Sequence, residues 1–231
     1  MNASRTARER ARAELVAEIT ASARRQLAET GAAALSMRAV ARDLGMVSSA
    51  LHRYFPTRDD LLTALIVQSY DELGDAVAAA DAAADPADHP GRWRAVTGAV
   101  RDWALAHPHE YALIYGSPVP GYRAPADTIP AAGRVVLPLL GILVDAHAAG
   151  RLATPAGPVA SAGDTGRLRA VLEAPDDLPD ATLAAGVTAW TGVFGHVSFE
   201  LFGQFENTVE NRDVLFQATT TRLGLLAGLP C

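Results

Sequence analysis

Apolar residues recur every three to four positions along most of the chain, and this spacing predicts helices. In residues 5–30 the stripe consists of Leu15, Ile19, Ala23 and Leu27, with arginine and glutamate between them. No stretch alternates convincingly between apolar and polar positions with a period of two, as a half-buried strand would. The pattern therefore predicts an all-α fold of about nine helices.

Three further helices are predicted after the first helix. Ser36 stands where a helix N-cap belongs, just before a second apolar stripe that ends at Gly45. A third, short helix is expected over about residues 48–54, and Thr57 is expected to cap a fourth helix that runs towards residue 80. Two helices joined by a tight glycine-containing turn form a helix-turn-helix.

On a helical wheel the third helix has two different faces. The polar arc contains Ser48, Ser49, His52 and Arg53. The apolar arc contains Val47, Leu51 and Tyr54. Because so short a helix is not stable alone, its apolar side should be held by the neighbouring helices. The polar side would then be free to enter the major groove of DNA.

Each polar group suits a different contact with a duplex. Arg53 is a candidate for bidentate contact with guanine or for phosphate binding, and His52 for phosphate binding. Arg38 and Arg58 lie in the first turns of the neighbouring helices, where they would flank the groove. The full set of expected DNA-contacting residues is Arg38, Ser48, Ser49, His52, Arg53, Tyr54 and Arg58. A solvated polar face on an ordinary helical domain explains the spacing equally well at this point.

Charge is distributed unevenly along the chain. The net charge is −6, and all 20 basic residues are arginines. Residues 1–60 hold ten arginines against seven acids, whereas residues 61–231 hold ten against nineteen. The first segment would be attracted to a polyanion and the second repelled, although an excess of this size makes only a modest contribution.

Residues 10–62 resemble the DNA-binding domain of the tetracycline-repressor (TetR) family of transcriptional regulators. The resemblance is carried by the long first helix and by the segments LSMRAVARDLGM and LHRYFPTRDDLL. The family usually has serine where Val47 stands, glycine at Ser49 and tyrosine at His52. Because valine cannot cap a helix, Ser48 is expected to take that role, which would shift the start of the third helix by one residue.

The resemblance implies two domains, a helix-turn-helix domain over residues 1–57 and a helical effector-binding and dimerisation domain over residues 58–231. It further implies a homodimeric repressor that binds a palindromic operator in double-stranded DNA and is released by a small-molecule effector. Residues 189–203, AWTGVFGHVSFELFG, look like the penultimate helix of one subgroup, which often has histidine where Phe194 stands.

The last two predicted helices, about 180–205 and 210–227, are the candidates for a dimer interface. The first is apolar nearly all round, and Gly186, Gly192 and Gly195 would permit close helix approach. Two such helices from each subunit would make a four-helix interface. The expected interface residues are Val187, Val197, Leu201, Leu215, Arg222 and Leu223. Burial inside a single chain is the alternative for these residues.

An effector pocket would be largely apolar and would suit a largely apolar ligand. The aromatic candidates for its lining are Trp103, Tyr111, Tyr115, Trp190, Phe194 and Phe199. His196 and Glu200 share one helix face at i and i+4 and could anchor a ligand, although we favour a structural hydrogen bond between them.

The sequence offers little for catalysis or metal binding. His107, His109 and Glu110 cluster at a helix break, but a structural corner explains them better than a metal site. There is no glycine-rich phosphate loop, HExxH or nucleophile elbow, so no catalytic residue, metal or cofactor is expected. The single cysteine, Cys231, is expected to be a solvated thiol, and no disulfide or membrane span is expected. These features favour the cytoplasm.

Two other hypotheses remain open at this stage. The chain could be an all-α enzyme or small-molecule carrier whose helix-turn-helix is incidental. Alternatively, it could bind DNA without any effector and act by competition or partner contact. Salt-dependent, sequence-selective DNA binding would separate the regulator from the first alternative.

Overall fold

The computed structural model of the protein describes residues 2–155 and 165–230, whose regular secondary structure is entirely helical. The all-α prediction is confirmed, with ten α-helices in these residues. The helices are α1 (Asn2–Thr30), α2 (Met37–Asp43), α3 (Ser48–Leu51), α4 (Arg58–Ala83), α5 (His89–Ala106), α6 (Pro108–Tyr115), α7 (Ile129–Ala148), α8 (Gly166–Val171), α9 (Asp180–Leu201) and α10 (Arg212–Leu226).

The chain forms two compact units. The first unit consists of Met1–Ser69 and His107–Ile129, and the second of Tyr70–Ala106 and Pro130–Cys231. Helix α4 contributes residues to both units because it continues without a break past Ser69. The predicted boundary at residue 57 separates DNA binding from effector binding. The compact units do not test this boundary, so it stays a prediction.

The core of the first unit grows from the stripe on α1. Ile19 and Ala23 are fully buried and Leu27 nearly so, as the spacing predicts. The other fully buried leucines and valine of this core are Val40, Leu51, Leu61, Leu62 and Leu65. Burying a leucine stabilises a fold by about 1.5–3 kcal/mol, so Leu51 can hold a four-residue α3 that would not form alone.

The second unit is built around an aromatic helix. Trp93, Val96, Val100 and Trp103 are buried along one side of α5. The indole nitrogen of Trp93 donates to the carbonyl oxygen of Thr220 in α10 at 2.9 Å. This hydrogen bond fixes α5 against α10 at a buried position where an unpaired donor would be costly.

Glycines bring α9 close to its neighbours at two of the three expected positions. A Cβ atom at Gly186 would lie 2.8 Å from the Leu143 side chain, and one at Gly192 would lie 2.8 Å from Leu223. At Gly195 a Cβ atom would meet nothing within 4 Å in this chain, so close approach by a partner's helix there stays a prediction. Gly195 lies on the exposed side of the helix.

One segment within residues 2–155 and 165–230, Ala126–Ala148, is long and apolar enough to cross a membrane by length and composition. The core helix of a soluble protein passes the same test. Leu139 and Ile142 of this segment are fully buried in the second unit, and Arg134 and Asp145 form ion pairs with other helices of that unit. One face of this helix therefore packs inside the second unit.

The corner expected around His107 is present, because α5 ends at Ala106 and α6 begins at Pro108. Within the described residues, no group of three or more histidine, cysteine or acidic side chains is arranged to hold a metal ion. The expectation for Cys231 lies outside the described residues.

Candidate DNA-binding surface

The turn between α2 and α3 has the geometry of a helix-turn-helix. Ser36 caps α2 as predicted, because its hydroxyl accepts a hydrogen bond from the amide of Ala39. At the other end Gly45 has a φ of +64°, a left-handed conformation that glycine adopts without strain. The Met46 amide donates to the carbonyl of Ala41 at 2.8 Å, which completes a Schellman ending.

Helix α3 places its polar residues outside and its apolar residues inside. Leu51 and, just after the helix, Phe55 are buried in the core of the first unit. The exposed side chains are those of Ser48 and Ser49 in α3 and of His52 and Arg53 just after it, because α3 ends at Leu51 and not near residue 54 as predicted. The helical wheel therefore predicted correctly which of these residues share the outer face.

Val47 departs from both predictions made for it. The wheel placed it inside, but its side chain is 69% exposed. Val47 precedes the helix with φ −73° and ψ 140°, so its backbone is extended and the helical periodicity does not apply to it. The expected shift of the helix start is also wrong, because α3 begins at Ser48 and Val47 occupies the N-cap position without a side-chain cap.

His52 closes the end of its own helix. Its Nδ1 lies 2.9 Å from the carbonyl oxygen of Pro56, which can only accept, so Nδ1 carries the proton. In the neutral ring Nε2 is then the acceptor, and it becomes a donor to a phosphate only when the ring is protonated.

Arg58 is engaged within the protein. Its guanidinium donates to the carbonyl oxygens of Ala32, Ala33 and Leu35 at 2.8–3.0 Å, in the segment between α1 and α2. The expected role of Arg58 as a flanking phosphate ligand therefore competes with a structural one. Arg38 and Arg53, by contrast, are exposed.

Sequence analysis did not predict two contacts that α1 makes, one with Asp43 of α2 and one with Tyr54 just after α3. Arg12 lies over the ring of Tyr54, 5.1 Å from its centroid, so this half-buried ring is fixed from one side. Asp43 accepts hydrogen bonds at 2.6 Å from Ser22 and from Arg25. The Ser22 hydroxyl first, and then Arg25, hold the pKa of Asp43 below its ordinary value.

A signal for the Asp43 contact was present in the sequence. An acidic residue in the last turn of a helix opposes the helix dipole, so it is favoured only with a partner from elsewhere. Asp60, by contrast, lies in the first turn of α4, where an acidic residue is favoured by the helix dipole. Thr57 and Asp60 cap the start of α4 reciprocally, because the amide of each donates to the side chain of the other. The predicted cap at Thr57 is confirmed.

The six aromatic residues predicted to line an effector pocket do not belong to one unit. Tyr111 and Tyr115 lie in the first unit, with ring centroids 5.1 Å apart. The other four lie in the second unit: Trp103, Trp190, Phe194 and Phe199. Of these, Trp103 and Phe194 are buried, and Phe199 is exposed.

A cavity of about 560 Å³ lies between α5 and α10 of the second unit, and the predicted aromatic pocket stays a prediction. The lining of the cavity includes Arg101, Asp102, Asp213 and Phe216 and contains none of the six predicted aromatic residues. The polar and charged character of this lining differs from the apolar pocket that the sequence predicts.

Beside this cavity, an ion-pair network around the buried Glu200 replaces the expected His196–Glu200 pair. Both oxygens of Glu200 accept hydrogen bonds from Arg101 at 2.7 Å, and Arg101 also donates to Asp213 at 2.7 Å. The bond to Glu200 is the main reason that the pKa of Arg101 is raised. The favoured hydrogen bond between His196 and Glu200 is therefore wrong, because a closer cation, 99 positions earlier in the chain, holds the carboxylate.

His196 packs among aromatic rings instead. Its ring lies edge-on to Phe205 and Phe216, with centroids 5.0 and 5.3 Å away. Its Nε2 is buried and has no hydrogen-bond partner among the described residues. Burial lowers the pKa of His196, which favours the neutral ring at pH 7.

The predicted dimer-interface residues differ in exposure. Val197 is fully buried within its own chain, so it has no surface to offer a partner. Val187, Leu201, Leu215 and Leu223 are half-buried, and Arg222 is exposed. The large apolar side chains that α9, α10 and their ends do expose are Phe199, Phe202, Val214, Leu225 and Leu226.

A short helix seated on an apolar core, with serines, histidine and arginine outward after a glycine turn, is the DNA-binding element of transcriptional regulators. The chain is similar to known proteins of this class over nearly its whole length. Residues 19–65 match the family model of bacterial regulatory proteins of the tetR family, and residues 93–223 match the tetracycline-repressor-like C-terminal domain. The chain belongs to the TetR family of DNA-binding transcriptional regulators.

Relatives support the same assignment. The HTH-type transcriptional regulators Rv1816 of Mycobacterium tuberculosis and Mb1846 of Mycobacterium bovis are each 42% identical over 227 residues, covering 92% of this chain and 92% of theirs. The crystal structure of SCO4313 is similar with a TM-score of 0.73 and 36% identity, covering 93% of this chain and 97% of that chain.

Proposed function

We propose that α3 enters the major groove of operator DNA with its exposed face towards the bases. The observation that carries this proposal is the exposed polar set on α3, held in place by the buried Leu51 and Phe55. Arg53 contacts a base edge, and Ser48 and Ser49 allow the backbone to approach the duplex. The exposed Arg38 binds phosphate at the edge of the groove.

Three of the expected DNA contacts take modified roles in this proposal. Arg58 acts mainly by holding the segment before α2, since three protein carbonyls already accept its hydrogen bonds. His52 contacts phosphate through Nε2, because Nδ1 is bound to the carbonyl of Pro56. Tyr54 contributes only its hydroxyl, because its ring is half-buried beneath Arg12.

The regulator acts as a homodimer on a palindromic site. One helix as short as α3 contacts few base pairs, so two copies related by a dyad and about 34–36 Å apart are needed for selective binding. The exposed apolar side chains of α9 and α10, among them Phe199 and Val214, supply a surface for association. Helices from two copies would pair there as a four-helix interface.

A small effector bound in the second unit releases the DNA. Helix α4 supports this coupling, because it begins three residues after Phe55 and continues as one helix into the second unit. A ligand that changes the position of α4 changes the position of α3 in each protomer. By linkage, DNA must then weaken effector binding by the same factor. We further propose that the protein acts in the cytoplasm and catalyses no reaction.

The test is selection of bound duplexes from a random DNA pool, followed by affinity measurements at several salt concentrations. We expect a palindromic consensus and an affinity that falls steeply with salt. Arg53→Ala should relax the preference at one base position in each half-site, with a loss of about 1–3 kcal/mol there. Arg167→Ala removes the same charge from an exposed position in α8 and should leave the consensus unchanged. Selection that yields no consensus would refute the proposal.

A further inference from the structure

Val47 is an apolar side chain on an otherwise polar surface. It is 69% exposed and lies directly before Ser48 and Ser49, the first two residues of α3. The apolar residues of α3 itself point inward, with Leu51 fully buried. Val47 cannot join them because its backbone is extended rather than helical.

The position gains nothing from valine within the protein. An N-cap residue ordinarily supplies a side-chain oxygen to a backbone amide of the first turn, and valine has none. Val47 makes no such bond, and most of its side chain meets water. A single exposed apolar residue is ordinary on a protein surface. This one, however, is continuous with the polar face of α3 that we propose binds DNA.

We propose that Val47 contacts the C5-methyl group of a thymine and selects a T·A pair at one position of each operator half-site. The inference rests on the proposed function of α3. The C5-methyl of thymine is the apolar group that a base edge presents in the major groove, and cytosine lacks it. A valine without hydrogen-bonding groups can distinguish the two pyrimidines only through this contact.

The experiment compares thymine with deoxyuridine, which differs by this methyl group alone. The full-length protein is titrated with its selected duplex and with duplexes in which each thymine in turn is replaced by deoxyuridine. One position in each half-site should show a three- to fivefold loss of affinity, about the effect of withdrawing one buried carbon. Val47→Ser should bind the thymine and deoxyuridine duplexes alike, at the weaker affinity.

Ile129→Ser is the matched control, because Ile129 is 68% exposed and belongs to the same compact unit. This variant should keep the full preference for thymine. Because serine caps helices better than valine, Val47→Ser should melt no lower than the wild type, so lost affinity would not reflect unfolding.

Each result bears on the inference directly. If the wild type binds its selected duplex in a salt-dependent manner yet no deoxyuridine substitution weakens binding, the contact does not exist while the DNA-binding role of α3 stands. The same conclusion follows if Val47→Ser keeps the wild-type preference for thymine. If selection yields no consensus at all, both the inference and the proposed function fail.

Discussion

The guanidinium of Arg58 donates to the carbonyl oxygen of Leu35 with 3.0 Å between Nε and the oxygen, and so joins the start of α4 to the residue before the α2 cap. Arg58, expected from the sequence to contact DNA, therefore also holds the segment before α2 in place. Its effects on stability and on DNA binding should be separable from those of arginines that are only exposed.

Arg58→Ala should lower the free energy of unfolding by about 1–2 kcal/mol, because the carbonyls of Ala32, Ala33 and Leu35 lose a charged donor. Affinity should fall for every DNA sequence alike, since the whole surface is less well held. Arg38→Ala should weaken DNA binding without changing the urea denaturation midpoint. Equal midpoints for the Arg58 variant and the wild type would contradict the structural role.

The ion pair between Arg101 and Glu200 should be the most sensitive polar contact in the second unit. The Glu200 side chain is 4% exposed, so Arg101→Met would leave a buried carboxylate without its cation and should destabilise the protein by about 3–5 kcal/mol. Asp213→Asn removes the charge of the other partner of Arg101. The Asp213 side chain is 76% exposed. That change should alter the unfolding free energy by about 0–1 kcal/mol. Similar losses in the two variants would contradict this ranking.

Asp43 should make part of the stability dependent on acid pH. The hydrogen bonds from Ser22 and Arg25 depress the pKa of Asp43 in the folded state below its ordinary value of 3.8. The contribution is therefore complete above pH 3.8 and is lost as pH falls through the lower, folded-state pKa.

The comparison with Asp43→Asn measures this contribution. At pH 7 the variant should unfold at a lower urea concentration than the wild type, and the gap should close as the pH falls below 3.8. A gap that persists unchanged into strong acid would show that the charge of Asp43 is irrelevant to it.

Substitution of two helical glycines by alanine should change the stability of the protein in opposite directions. A Cβ atom at Gly224 would lie 3.1 Å from the indole nitrogen of Trp93, which is held by its bond to Thr220, so Gly224→Ala should destabilise by about 1–3 kcal/mol. At Gly98 in α5 a Cβ atom would meet nothing within 4 Å. Gly98→Ala should therefore stabilise by about 0.5–1 kcal/mol, because alanine favours the helix. Thermal melts of the two variants check both signs.

Much of the first unit could be predicted from local sequence. The stripe on α1, the cap at Ser36 and the stop at Gly45 each depend on residues a few positions apart, whose geometry the backbone fixes. The outer face of α3 followed from helical periodicity in the same way. The family resemblance drew on the same local segments.

The predictions that failed involve residues whose contacts cannot be predicted from helical periodicity. Val47 was placed by a helical wheel although its backbone is extended, so the wheel gave it the wrong side. Glu200 was paired with a neighbour one turn away, whereas Arg101 from another helix holds it. Val197 has the spacing of an interface residue, but its own chain buries it completely.

The sequence by itself determined the helices, the caps at Ser36 and Thr57 and the polar face around α3, because hydrogen bonding within a helix and capping act over four residues or fewer. Only the tertiary structure decided which charges meet, which apolar side chains remain exposed, and that Arg58 is bound by the carbonyl of Leu35, 23 positions away. Such contacts depend on how helices pack. The periodicity of side chains along one helix does not show which residue of another helix will contact it.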